Sequence, residues 1–184
     1  GDRNQFRIGN ATNETAWIAA AGNLVGGGAA PGTTLKNVSI VPWVVGENLA
    51  ASSVADANMG NTFVTYVAGR GFVPLLTAEY STYATAASTD NVRESLTADA
   101  TGLAGVTLNS LVIHNDNTAA SAINITGSGA GQTLTNTSGA FLFTLNPTAA
   151  ASSAHTVNVS GFDGGVAIGT TGEYVMNVIN PSAA

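Results

Sequence analysis

The sequence predicts an all-β fold, a right-handed parallel β-helix of three-stranded coils, and three observations point there. The first is an internal repeat: sliding the 184-residue chain against itself by 34 residues brings 123–150 onto 157–184 without a gap. Eight of those 28 pairs are identical, among them Asn124/Asn158, Gly127/Gly161, Gly131/Gly165 and Thr137/Thr171. A fixed period in this range marks stacked supersecondary units that bury their apolar faces on one another. The second is composition. Charged residues make up only 9% of the chain, against roughly 25% in ordinary soluble domains, and the Thr, Asn, Ser and Gly that take their place favour strands and turns. The third is three short strand candidates in each period: 123–126, 132–135 and 141–146 in the first, then 157–160, 166–169 and 174–180 in the second. An antiparallel β-sandwich is the alternative, because frequent turn signals suit it too. The ungapped repeat favours coils, which must keep their length where hairpins need not.

The chain divides into a β-rich N-terminal segment, 1–105, with glycine loops and one short helix, and a β-helix repeat region, 106–184. In the first segment 5–8, 16–20 and 35–45 read as strands, and 26–32 (GGGAAPG) as a loop. Pro42 cannot donate to a ladder, so a bend or a sheet edge is expected there. Thr62–Val67 and 71–76 read as two strands about the turn Ala68-Gly69-Arg70. Residues 77–87 read as the helix, capped by Thr77 with Glu79 in its first turn. Asn91–Leu96 and Val106–Asn115 return to alternation.

Within the repeat, stacked strands would lie ~4.8 Å apart, placing Ile123 under Val157, Ile125 under Val159 and Leu134 under Ile168. Asn124 and Asn158 would face outward or form an amide ladder. Phe143 over Asn177 is the discordant pair, an amide where a core aromatic belongs.

The net charge of −6 and five scattered cations, Arg3, Arg7, Lys36, Arg70 and Arg93, argue against nucleic acid as a partner. No apolar run reaches the ~20 residues of a membrane helix. The absence of cysteine removes disulfides, thiolate metal sites and cysteine nucleophiles. This composition suits an exported bacterial surface protein, and a start at Gly1 without initiator Met or signal peptide reads as a processed or excised piece.

Two stretches carry a family likeness. One is 61–76 (NTFVTYVAGRGFVPLL) followed by 89–93 (TDNVR); the other is 108–115 (LNSLVIHN) leading into 123–127 and 133–139 (TLTNTSG). Their order resembles bacterial proteins with autotransporter-associated β-strand repeats. The resemblance covers 40–184 and implies a passenger-type extracellular segment, although the family's Leu-Thr-Lys-x-Gly-x-Gly-type repeat is missing.

No catalytic, cofactor-binding or metal-binding residue is assigned. His114, followed by Asn115-Asp116, and His155 read as strand-end imidazoles exposed at corners rather than as acid–base groups. Asp116, Asp163 and Glu173 are single acids on separate turns, unlike the clustered carboxylates of polysaccharide-cleaving enzymes. Sequons at Asn10, Asn13, Asn37, Asn124, Asn136 and Asn158 follow from composition. Trp17, Trp43, Tyr66, Phe72, Tyr80 and Tyr83 form either a sugar-stacking platform or core and end plugs. The expected function is a structural extracellular or cell-surface segment, stalk, coat or filament material, that associates with itself or with neighbouring repeats of a larger protein. An adhesin or glycan-binding module is the alternative, and a polysaccharide-acting enzyme the third reading.

Overall fold

The structure, a computed structural model, describes residues 7–47, 60–146, 155–169 and 173–179. It is mostly β. A helix, α1 (Ala11–Ala19), precedes an antiparallel sheet of β1 (Val41–Gly46), β2 (Thr62–Val67) and β3 (Gly71–Pro74), with β2 in the centre. The remaining strands are β4 (Asn91–Leu96), β5 (Ala100–Leu103), β6 (Val106–Asn115), β7 (Ser121–Gly129), β8 (Leu134–Leu145), β9 (His155–Phe162), β10 (Val166–Ile168) and β11 (Val175–Ile179). They pair only in parallel and alternate between two sheets: β4, β6 and β8, the last joined by both β10 and β11, and β5, β7 and β9. Among the named strands antiparallel pairing is confined to β1–β3, with one antiparallel bridge, Val25–Ile40, outside them, so the sandwich reading does not hold for β4–β11.

The in-register repeat is borne out between β7 and β9, where Ile123 pairs with Val157, Asn124 with Asn158 and Ile125 with Val159. Further along the period the constant offset fails. Leu134 pairs with Val166 rather than Ile168, and Phe143 pairs with Val178 rather than Asn177. The cause is a bend. The expected strands 132–135 and 141–146 merge into β8, whose pairing with β6 jumps from Leu108–Asn136 to Ser110–Ala140. Thr137, Ser138 and Gly139 are the extra residues on the bulged side, and Gly139 takes a φ of 70°. Each bulge re-aims the strand and absorbs residues that an ungapped alignment cannot see.

Buried amides and hydroxyls satisfy the backbone at that bend. Ser138 Oγ donates to the Asn109 carbonyl (2.5 Å), and Asn136 Nδ2 to the Ala140 carbonyl (2.7 Å). Asn109 Nδ2 and Ser110 Oγ both donate to Asn91 Oδ1 at 2.8 Å, while Asn91 Nδ2 reaches the Val38 carbonyl at 2.8 Å. Pairing these groups avoids a desolvation penalty of about 1–3 kcal/mol each, although the buried Asn109 Oδ1 in the same network has no hydrogen-bond partner.

Two apolar clusters flank the β4–β6–β8 sheet. One lies between it and the β5–β7–β9 sheet: Val92, Leu111, Ile113, Ile123, Ile125, Phe141 and Phe162. The other sets Val112, Ala140 and Leu142 against Val38, Ile40, Phe63, Leu75 and Tyr80. With both faces covered, residues 108–115 are all buried, the pattern of a parallel sheet between layers. Each fully buried Leu, Ile or Phe contributes about 1.5–3 kcal/mol.

Several N-terminal expectations change. Of residues 16–20, read as a strand, 16–19 belong to α1 and Ala20 is its C-cap. The residue that starts the helix is Asn10, whose side chain accepts from the backbone N–H groups of Thr12 and Asn13 (both 3.1 Å). The helix expected over 77–87 is two 3-10 turns, Thr77–Glu79 and Tyr83–Thr85, because Ser81 between them is drawn into parallel pairing with Val92. The expected strand 5–8 lies mostly outside the described residues. Pro42 sits on an edge strand with an irregular register, as its missing N–H requires.

Candidate functional site

Both histidines sit at strand ends, on different sheets. His114 is buried rather than exposed (8%). Its Nδ1 is 2.7 Å from Thr144 Oγ1 and its Nε2 3.5 Å from Asp116 Oδ1. Burial, helped by nearby Arg93, pushes its pKa down against the pull of Asp116, so the ring is neutral at pH 7. The order hydroxyl–imidazole–carboxylate invites comparison with nucleophile activation. Thr144, however, is 1% exposed, so its hydroxyl is closed to a substrate. The trio orders the ends of β6 and β8. His155 is half-buried, with Nδ1 3.4 Å from Ser121 Oγ.

The acids scatter. Among the described residues no three His, Asp or Glu converge as a metal site. Asp163 and Gly164 form a turn closed by the Gly165 N–H on the Phe162 carbonyl (2.7 Å). Two buried carboxylates that sequence reasoning missed are structural. Glu79 accepts from the backbone N–H groups of Gly32 and Leu76, both at 2.7 Å, tying the glycine loop to the first 3-10 turn. Glu14 accepts from Arg7 Nε (2.8 Å), Arg7 Nη2 (2.9 Å), Tyr66 Oη (2.8 Å) and the Gly69 N–H (3.1 Å). The Arg7 guanidinium above all holds its pKa down at about 2. Only the Asn10 cap, four residues before an acid in the first turn, carried a sequence signal for it.

The aromatic set does not form a platform. Trp17, Tyr66 and Phe72 pack on one another with centroids 5.0–6.0 Å apart, and Tyr80 and Tyr83 are buried. Trp43 alone of the six is well exposed, 47%, and lines a groove of about 500 Å³ with Asn23, Glu173 and Val175. Of the sequons, Asn136 is fully buried and Asn10 is engaged as a helix cap.

What distinguishes the molecule is the contrast between the two ends of its parallel stack. At the β4 end the edge is occupied: Ser81 donates its N–H to the Asn91 carbonyl (2.9 Å) and accepts from the Arg93 N–H (3.0 Å). Tyr83 fills the interior beneath it, its hydroxyl donating to the Ala104 carbonyl at 2.9 Å. At the other end, among the described residues, β9 and β11 pair on one side only. Here Phe143, Leu145, Val157, Val159, Met176 and Val178, with His155 beside them, line a mostly apolar cleft of about 380 Å³. Met176 and Val178 are 62% and 66% exposed. They continue the inward column of Phe141 and Phe143 on β8 and share the cleft with Val157 and Val159 of β9.

Along the outer face of β5, β7 and β9 runs a polarised ladder. Asn158 Nδ2 donates to Asn124 Oδ1 (2.9 Å), and Asn124 donates both its backbone N–H and its Nδ2 to Asp99 (2.9 Å each). Those two bonds lower the Asp99 pKa. The expected amide ladder is therefore present and begins on a carboxylate.

No family model, curated protein or solved structure matches this chain.

Proposed function

We propose that β4–β11 are successive turns of a right-handed parallel β-helix with three strands per coil, and that the chain is a structural segment of a bacterial cell-surface or extracellular protein. The single observation that carries this reading is the in-register stacking of β7 and β9, with Ile/Val columns inside and the Asn124–Asn158 ladder outside. Such a stack gains one ladder of hydrogen bonds and one layer of core per coil, and its stability grows by repetition. Strands bent at 109 and 137–139 supply the second corner of each coil. Stalk, coat or filament material is the role this suits: what repeats along the chain is packing, and its open end joins it to neighbouring repeats or further copies. The low-charge, cysteine-free composition and the resemblance to autotransporter-associated repeat proteins support the extracellular placement.

Immunogold electron microscopy of intact source cells tests it. Label on material outside the cell envelope is expected, and label found only after lysis overturns the reading. The glycan-binding alternative rests on Trp43 and its groove. Saturable binding on a glycan array, abolished by Trp43→Ala, would put that reading first.

A further inference from the structure

The two ends of the stack differ chemically, and the difference specifies what the open one receives. The β4 edge has its ladder bonds taken by Ser81 and its interior plugged by Tyr83. The ladder on the neighbouring sheet terminates there on Asp99, an acceptor whose two oxygens each already hold a donor from Asn124. A second copy docking its β4 end onto the β9 edge of the first would bring the Asp99 carboxylate, an acceptor only, towards the Asn158 side-chain oxygen, which disfavours that neighbour. At the β9 edge the needs are the reverse. Asn158 Nδ2 gives one of its two N–H bonds to Asn124, while among the described residues no donor reaches Asn158 Oδ1. Val157 and Val159, on either side, face the cleft and are only half-buried.

We propose that the open end is a docking site for one further parallel strand with an amide side chain between two β-branched apolar residues, as in the next coil of a longer stack. The strand's amide donates to Asn158 Oδ1, and its two flanking side chains cover Val157, Val159, Met176 and Val178. The pattern is already present twice in the established pairing, as Ile123-Asn124-Ile125 and Val157-Asn158-Val159. Parallel in-register addition keeps that column continuous, main-chain bonds giving affinity and alternate side chains giving specificity. This inference rests on the stacked-coil reading above and selects a further coil over a second copy as the neighbour.

The test uses the whole 184-residue chain and a fluorescein-labelled peptide of the sequence HTVNVSGF, that of His155–Phe162. Anisotropy titration should give saturable binding, at least about tenfold tighter than for the same peptide with Asn158→Asp, which offers an acceptor in place of a donor. The protein variant Asn158→Ala, altered at an exposed position, should bind both peptides alike. The double variant Met176→Lys/Val178→Lys should bind neither, with an unchanged far-UV spectrum. Equal affinity of the two peptides for the unaltered chain, or no binding, overturns the proposal. So does sedimentation showing a dimer, formed through Met176 and Val178, that the peptide does not dissociate, since the occupant would then be a second copy. Either failure leaves the cell-surface label untouched, so the two readings fall separately.

Discussion

Asn158 donates its side-chain amide to Asn124, 34 residues earlier and one strand below, at 2.9 Å. The bond links the sequence repeat to the fold, because only a parallel, in-register stack brings equivalent positions of successive repeats together on one face. Asn124→Ala removes both of its ladder contacts on a solvated surface and should cost about 0.5–1.5 kcal/mol in urea unfolding. Asn124→Asp should cost more at pH 7, since a second carboxylate then faces Asp99. The excess over Asn124→Ala should vanish below about pH 4 as the carboxyls protonate.

Gly127 and Gly161, identical in the repeat, back onto each other where the β7–β9 register shifts. A Cβ on Gly127 would lie 2.5 Å from the Gly161 carbonyl oxygen, and Gly161 itself has a φ of 69°. Gly127→Ala meets backbone that cannot yield, and Gly161→Ala adds conformational strain. Each should destabilise by roughly 2–4 kcal/mol, more than Gly131→Ala, which shares the positive φ (75°) but whose Cβ meets nothing within 4 Å. Thermal unfolding of the three variants checks the order.

Asn177 lies opposite Leu142 on the face packed against the N-terminal layer, and its buried Nδ2 has no hydrogen-bond partner. Asn177→Leu replaces an unsatisfied donor with apolar volume and should raise stability by about 1 kcal/mol, read as a higher urea midpoint at an unchanged slope.

The Glu14 carboxylate, held at about 2 by Arg7, Tyr66 and Gly69, ties α1 to the β2–β3 turn. Its folded pKa is below the unfolded one, so its contribution is full above about pH 4.5 and is lost as pH falls towards 2. Trp17, which packs on Tyr66 and Phe72, should report this as a fluorescence change across that window. Glu14→Gln should be destabilised at pH 7 and show no such acid transition.

How much of this was legible beforehand depended on where residues are inserted. β7 and β9 have equal spacing through their Ile/Val alternation, so an ungapped alignment found their register. β8, β10 and β11 are bent by the bulge at 137–139, and the alignment slipped there by one or two residues. That slip created the discordant Phe143/Asn177 pair, which the observed Phe143–Val178 pairing removes. The N-terminal segment was harder for a different reason. α1 has no strong apolar stripe, and its stability comes from the Asn10 cap and the tertiary bonds of Glu14. Segment 77–87 carries helical spacing, but Tyr80 and Tyr83 are drawn into separate cores, and Ser81 pairs with β4. The open end and its polarised ladder were invisible, because donor and acceptor roles appear only once the strands are stacked.

Inter-strand NOEs in the isotope-labelled chain test the stacking most directly. The account predicts contacts linking Ile123 with Val157 and Ile125 with Val159 in the same chain direction. Contacts joining 121–129 to 134–145 as an antiparallel hairpin would contradict it.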